Sequence, residues 1–306
     1  GNTFAIYALT AYFNASKDSS ALALAYNTFS WLETYSYDKE NGGYYDLLTR
    51  EGNLWNPTGY ISKTNDNNRA MWKDQNSSIH ILEAFTDLYK ATHDSLVGVR
   101  LQQMLLVVRD KFIGNKPYLT LHTTSNWNPI SYKDSTDAVR KENNYFDHVS
   151  FGHDVETAYL LLEAEEVLGN KTKSKTLQVA KSLVDHAINY AWDSIHGGIF
   201  YEGYYFKNQT KITITNFEKC WWAQAEMLNA LLLMSQLYPN EKQYYEYFVK
   251  QWDYISQNLI DKTHKGWYFV GIDYNSQEFK NPKASIWKVN YHDGRALLNC
   301  ISMLDN

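Results

Sequence analysis

Three histidines recur in phase along this 306-residue chain. His80, His153 and His292 each stand at or near the start of an apolar helical stretch. The first two share one pattern, His80-Ile81-Leu82-Glu83 and His153-Asp154-Val155-Glu156. A three-residue step sets imidazole and carboxylate on one helix face, where the carboxylate fixes the tautomer or holds a substrate hydroxyl. The positive end of the helix dipole disfavours imidazolium, so a neutral base remains available near pH 7. Several such bases around one cavity suit proton transfer beside a carbonyl. One base removes the acidic hydrogen while a cation or hydrogen-bond donor holds the enediolate oxygen. On an open-chain aldose, two bases on opposite faces invert C2, and delivery to C1 instead gives a ketose.

The elements that must position these residues are helices. Helical periodicity is clear in Phe4-Ala5-Ile6-Tyr7-Ala8-Leu9, Ile79 to Tyr89, Val155 to Leu168, Trp222 to Leu237 and Ala296 to Leu304. More polar amphipathic helices are expected at about 18–35, 94–113, 170–191 and 239–260, reached by short turns such as Ala15-Ser16-Lys17-Asp18 and Gly169-Asn170-Lys171. The starts of the apolar helices repeat: His80 to His153 is 73 residues, His153 to Trp222 is 69 and Trp222 to His292 is 70. Glycine-led aromatic segments precede most of them, at Gly42-Gly43-Tyr44-Tyr45, Gly197-Gly198-Ile199-Phe200-Tyr201 and Gly266-Trp267-Tyr268-Phe269, and read as short hairpins. Units of apolar helix, polar helix and hairpin predict an all-α (α/α) toroid of helical hairpins, apolar helices inside and amphipathic ones outside. No linker interrupts the pattern, so residues 1–306 are expected to form a single domain. Five inner and four outer helices are visible where a ring of six hairpins has twelve, so the expected ring lacks about three helices before Gly1. In phase with the repeat, the three imidazoles are expected to converge on one mouth of the ring.

Composition narrows the chemistry. The formal charge is −5 and no run of five or six like charges occurs, which argues against a nucleic-acid groove or an anionic membrane surface. The longest apolar runs fall far short of the roughly 18 residues that span a bilayer. Cys220 and Cys300 read as buried thiols in a reducing compartment, so the expected location is cytoplasmic. Low glycine and proline, 15 and 5 residues, favour long helices. Aromatic residues make up 16%, with 25 Tyr and 10 Trp. Such rings pack cores and also stack on the apolar faces of sugars.

Several ordered segments carry a more specific signal: Asn76 through His80-Ile81-Leu82-Glu83-Ala84-Phe85, Ser150-Phe151-Gly152-His153-Asp154-Val155-Glu156, Trp221-Trp222-Ala223-Gln224-Ala225-Glu226, Gly266-Trp267-Tyr268, and Trp287-Lys288-Val289-Asn290-Tyr291-His292-Asp293-Gly294-Arg295. Together they resemble the signature segments of the N-acylglucosamine 2-epimerase superfamily, most closely its cellobiose 2-epimerase branch, in order from Phe4 to the C-terminus. The resemblance implies an (α/α)6 barrel and cofactor-free epimerisation at C2 of the reducing-end glucose in β-1,4-linked disaccharides. It implies His153 and His292 as the acid/base pair, and His80 as an aid to ring opening or a holder of the sugar oxygen. Glu156 would orient His153 or bind a hydroxyl. Asn76, Glu226, Trp222, Trp267 and Trp287 would contact substrate, with Trp267 and Trp287 stacking on sugars. The implied partner is a mono- or disaccharide substrate, and the protein is expected to be a monomer or homodimer. Two departures stand out. The arginine that stabilises the enediolate in the family falls in a segment before Gly1, and Ser78 stands where disaccharide epimerases often carry a second histidine.

Other readings of the same residues remain open at this level. Glu156 and Glu226 would serve a glycoside hydrolase as its carboxylate pair, and an aromatic cavity suits a non-catalytic sugar binder. An N-acylglucosamine epimerase or a mannose aldose–ketose isomerase would use the same parts. A metal site is not expected, because His-x-x-Glu reverses the order used by di-metal helical bundles and His-Glu-x-x-His is absent. Arg295 reads as structural, Glu83 as a partner within its own helix and one of Trp221 and Trp222 as core. His93 and His186 read as helix surface, and His122, His148, His196 and His264 as loops.

Overall fold

Short polar side chains start several of the helices. In the computed structural model, which describes residues 1–55, 69–169 and 175–305, α1 (Asn2–Ser16) is followed at once by α2 (Ser19–Tyr35), whose first turn is capped by Asp18. A two-residue strand, β1 (Lys73–Asp74), then leads into α3 (Gln75–Thr92), where Asp74 accepts the Ser77 amide. Asp94 likewise caps α4 (Ser95–Val107) through the Leu96 and Val97 amides. Each cap supplies an acceptor to amides that have no partner inside the helix. After β2 (His122–Thr123) come α5 (Asp137–Asn143), β3 (Val149–Ser150), α6 (Phe151–Val167), α7 (Lys175–Tyr190), β4 (Glu202–Tyr204) and β5 (Thr213–Asn216). The chain ends with α8 (Trp221–Leu237), α9 (Gln243–Tyr254) and α10 (Tyr291–Leu304). No described helix is long and apolar enough to cross a membrane.

All five apolar and all four amphipathic helices expected from periodicity are present, and α5, capped by Thr136, is an addition. The turn expected at Gly169-Asn170-Lys171 lies outside the described residues beyond Gly169, as do the first residues of the helix expected from 170. Two of the amphipathic helices end earlier than expected because the backbone widens into π-helical turns, at Val108–Ile113 after α4 and Ile255–Leu259 after α9.

The described residues cluster into two compact units, one of Gly1–His148 with Leu160–Leu177, the other of Val149–Tyr159 with Gln178–Asn306. Within the first, α1 packs on α2 and α3, α3 packs on α4, and β1 pairs antiparallel with β2. Within the second, α8 packs against α9 and α10 beside the antiparallel sheet β3-β4-β5. Helix α8 is buried all round: every residue from Trp221 to Leu232 is buried, Gln224, Glu226 and Asn229 included. The apolar helices α1 and α10 bury only one stripe each, Thr3, Ile6 and Thr10 in α1 and Ala296 and Cys300 in α10, while Phe4, Tyr12, Leu298, Ile301 and Leu304 are exposed.

The three glycine-led hairpins share one construction that periodicity does not reveal. Bridges Tyr37↔Tyr44, Trp192↔Ile199 and Ile260↔Trp267 close them. In each, an aspartate opens the turn: the amides of Asp38, Asp193 and Asp261 donate at 2.9 Å to the carbonyls of Gly43, Gly198 and Gly266. The paired turn residues have left-handed φ, near 73–79° at Gly42-Gly43 and Gly197-Gly198, with Lys265 at 65° before Gly266. Glycine suits that conformation because it has no Cβ to clash. One oxygen of each aspartate accepts two turn amides, Glu40 and Asn41, Ile195 and His196, or Thr263 and His264.

The other oxygen takes a lysine from farther along the chain. Lys73 Nζ lies 2.7 Å from Asp38 and 2.6 Å from the Gly42 carbonyl. Lys219 Nζ lies 2.6 Å from Asp193 and 2.9 Å from the Gly197 carbonyl, and Lys283 Nζ lies 2.7 Å from Asp261. Lys73 and Lys219 directly precede α3 and α8, so the ion pair ties each hairpin to the start of the following apolar helix. Burial opposes charge on Asp38, but the Lys73 ammonium and the loop amides outweigh it and hold the pKa at about 2. Lys73 is fully buried, with a third acceptor in the Ser125 carbonyl and the Trp127 ring 4.1 Å away.

Removing one partner of such a pair leaves the other charge buried and unpaired. Lys73→Met should therefore lower unfolding free energy by about 3–5 kcal/mol. Lys283→Met, at a partly exposed pair, should cost clearly less. Urea denaturation of both variants measures the contrast, and equal losses would deny the clip at Lys73 its special weight.

Candidate active site

The second unit gathers one dense group of candidate side chains in the first two turns of α6, α8 and α10. Its centre is Trp222, buried in the first turn of α8. The His153 ring lies 4.6 Å from the Trp222 ring, and the His292 ring lies 5.5 Å from it. Both imidazoles thus pack on one indole, and their separation is no greater than those two distances combined. Close approach of α6 to Trp222 depends on Gly152. A Cβ there would sit 2.6 Å from the Trp222 ring and 2.7 Å from Ala223 Cβ, nearer than any side chain tolerates. From the other side, Tyr201 meets Trp222 edge-on with ring centroids 5.9 Å apart. Gln224 anchors α8 to its hairpin by accepting from the Ile199 amide and donating to the Ile199 carbonyl.

Each histidine is oriented through Nδ1. His292 Nδ1 lies 2.7 Å from Glu226 Oε1 and 3.7 Å from Glu156 Oε1. An ionised carboxylate only accepts, so Nδ1 carries the hydrogen and Nε2 of neutral His292 keeps its lone pair. His153 Nδ1 lies 2.8 Å from Ser150 Oγ, and Ser150 is held in β3 opposite Glu202 of β4.

Glu156 and Glu226 are both fully buried, and Arg295 joins them. Its Nη2 donates to Glu156 Oε1 at 2.8 Å and to Glu226 Oε1 at 2.7 Å, while Nη1 donates to the Tyr291 hydroxyl at 2.6 Å. Burial pushes the Glu226 carboxyl up, but the Arg295 charge and then His292 more than offset this and leave it below the usual carboxylate range. Glu156, Glu226 and His292 bring ligand atoms within 4.8 Å of one another. The positive charge among them is the guanidinium of Arg295. A second such group, Asp193, His196 and Asp273, is likewise served by Lys219, which lies 2.6 Å from Asp193 and 3.0 Å from Asp273.

The other expected site residues are placed as follows. His80 is buried in α3 of the first unit, with Nδ1 3.1 Å from Glu83 Oε2 and its ring 4.7 Å from that of Phe4. The spacing His80–Glu83 therefore does bring imidazole and carboxylate together. Asn76 is exposed one residue into the same helix, and the Ser78 hydroxyl donates to the Asp74 carbonyl. Trp267 is buried in its hairpin, with its carbonyl accepting from Lys288. Trp287 is 81% exposed.

Sequence reasoning undervalues Arg295. A signal does exist, since His292 and Arg295 are separated by the same three-residue step as His153 and Glu156. Two histidines are corrected. His186 is buried rather than on a helix surface, because its Nε2 meets the Tyr205 hydroxyl at 2.9 Å. His122 lies buried in β2 rather than in a loop, with Nδ1 donating to the Phe146 carbonyl at 3.1 Å.

With this geometry in view, comparison with known proteins is informative. The sequence profile of the N-acylglucosamine 2-epimerase (GlcNAc 2-epimerase) family matches residues 50–293. A cellobiose 2-epimerase of Bacteroides fragilis is 29% identical over 98% of this chain and 70% of its own length. A D-mannose isomerase of Marinomonas mediterranea is 26% identical over 87% of this chain and 61% of its own. The solved cellobiose 2-epimerase of Spirochaeta thermophila superposes with a TM-score of 0.76 at 26% identity, covering 99% of this chain and 69% of that one. Helical hairpins of the (α/α)6 barrel class, in the company of such relatives, define an enzyme that epimerises or isomerises sugars. The chain belongs to the N-acylglucosamine 2-epimerase family.

Two outcomes follow from the site's surroundings. Gly152→Ala must displace Trp222 or Ala223, so it should cost about 1–3 kcal/mol in stability and depress turnover. Unchanged turnover would show that the close approach is dispensable. Burial holds His122 and His186 at a pKa of about 4, against about 6.5 when unfolded. Between those values only the unfolded chain binds the protons, so stability should fall as pH drops from 6.5 toward 4, by up to about 3 kcal/mol for each histidine. Thermal unfolding across that range, with His122→Gln and His186→Gln as flatter controls, provides the check.

Proposed function

We infer that the protein inverts C2 of the reducing-end sugar of a β-1,4-linked disaccharide, converting cellobiose to glucosylmannose. Residues 1–306 would act as one catalytic domain. The observation that carries this reading is the packing of His153 and His292 on the single indole of Trp222. One imidazole, neutral at Nε2, takes the C2 hydrogen of the open-chain aldose as a proton. The C–H electron pair becomes the C1–C2 double bond, and the carbonyl oxygen becomes the enediolate oxygen. The other imidazole returns a proton to C2 on the opposite face, and the double-bond electrons restore the C1 carbonyl. Ser150 and Glu226 support the assignment by engaging Nδ1 of His153 and His292, so that Nε2 of His292 is available for transfer.

In this reading Glu156 and Trp222 line the same cluster, and His80, Asn76, Trp267 and Trp287 keep the roles that the family resemblance gives them. His80 assists ring opening, and its Nδ1 contact with Glu83 favours a lone pair on Nε2. A second reading is favoured by the D-mannose isomerase relative, namely aldose–ketose isomerisation with the proton delivered to C1.

Turnover in heavy water separates the two. Epimerisation should place one deuterium at C2 of a mannose-containing product, whereas a ketose labelled at C1 would select the second reading. His153→Ala and His292→Ala should each reduce exchange by about 10²–10⁴-fold. Exchange retained in both variants would remove the proposed bases.

A further inference from the structure

Arg295 stands where two buried carboxylates and a functional imidazole meet, and nothing in the acid/base reading above requires it. Its side chain is nearly buried, and one nitrogen, Nη2, serves Glu156 Oε1 and Glu226 Oε1 together. Glu226 Oε1 receives two donors, the guanidinium and His292 Nδ1. Two carboxylates this close and this dry cannot both remain ionised alone; like charge and desolvation make such a pair share a proton. A protonated Glu226 would offer a donor to His292 as readily as an acceptor, and the preference for hydrogen on Nδ1 would be lost.

We propose that Arg295 is a positioning residue for His292: by keeping Glu156 and Glu226 both ionised, it makes Glu226 a pure acceptor and so fixes the imidazole with its hydrogen on Nδ1 and its lone pair on Nε2. The inference rests on the reading of His292 as one of the two bases. The groups facing the pair come from three helices. Helix α6 supplies Glu156 and Tyr159, whose ring lies 6.0 Å from the guanidinium, and His153 reaches the cluster through Trp222. Helix α8 supplies Glu226. Helix α10 supplies Tyr291, stacked 4.5 Å from the guanidinium, with His292 and Cys300. The Cys300 thiol is pushed up to about 12 by burial and then by Glu226, so it stays neutral. Arg295 is thus the cation that reaches both carboxylates among the described residues. A lysine would offer a point charge, whereas the planar guanidinium spans both carboxylates and the Tyr291 hydroxyl at once.

The test compares Arg295→Met, Arg295→Gln, Arg295→Lys and the double variant Arg295→Met/Glu156→Gln with the wild type. Histidine nitrogen NMR, with the His292 signal identified by its absence in His292→Gln, reads the tautomer without turnover. The wild type and Arg295→Lys should show hydrogen on Nδ1 at neutral pH, and the two neutral variants should lose that preference. In the pH–rate profile, the acidic limb of Arg295→Met and Arg295→Gln should move up by at least one pH unit, with turnover near neutrality reduced 10-fold or more. The double variant removes the charge together with one of its carboxylates. It should recover the wild-type tautomer and limb, and should fold even where the single variants do not. The proposal is overturned by neutral variants that keep both tautomer and limb, or by a double variant that recovers neither. A protein that exchanges no sugar hydrogen would refute the acid/base reading while leaving the NMR comparison decisive for Arg295.

Discussion

Water does not reach the carboxylates of Glu156 and Glu226, and that constraint organises the second unit. A buried carboxylate is tolerated only where donors replace its hydration. Here the donors come from α10, as Nη2 of Arg295 and Nδ1 of His292. The helix that closes the cluster is therefore also the one that carries a proposed base. Helix α10 buries little apolar surface of its own, only Ala296 and Cys300, so its polar contacts with α6 and α8 matter for its placement. Geometry at the site and attachment of the helix are consequences of the same few hydrogen bonds.

The hairpins solve a similar problem by a different route. An aspartate turned inward to cap its own turn leaves one oxygen over, and a lysine from just before the next apolar helix takes it. Near the third hairpin the arrangement is extended, since Lys283 pairs with Asp261 and Lys288 reaches the carbonyls of Trp267 and Lys283. Helix starts are where His80, His153 and His292 sit. The clip before α3 thus fixes the helix start that carries His80, and the clip before α8 fixes the one that carries Trp222.

Much of this architecture is legible in the order of the amino acids. Period and composition identify the helices because burial selects mostly hydrophobic residues around α8 and along one face of the amphipathic α7 and α9. The phase of His153 and His292 in the repeat points to one cluster, and the Trp221-Trp222 pair supplies its centre. What stays hidden depends on contacts that have no fixed spacing. Asp38 and Lys73, Asp193 and Lys219, and Asp261 and Lys283 are 35, 26 and 22 residues apart, so no period connects them. Arg295 is easily undervalued because an arginine on the polar side of a terminal helix usually faces water. His186 reads as surface because the partner that buries it, Tyr205, comes from the chain after its helix. A strand of two residues, as at His122, is too short to show alternation.

The absence of a side chain at Gly152 carries a wider implication. Two helices meet there with a hydrogen atom between them, and the indole beyond is shared by both proposed bases. A laboratory effort to change which sugar is accepted would have little freedom along this seam, where one added methyl disturbs the indole on which both proposed bases pack. Diversification has more room in exposed segments such as that around Trp287, where replacing a residue leaves the shared indole untouched.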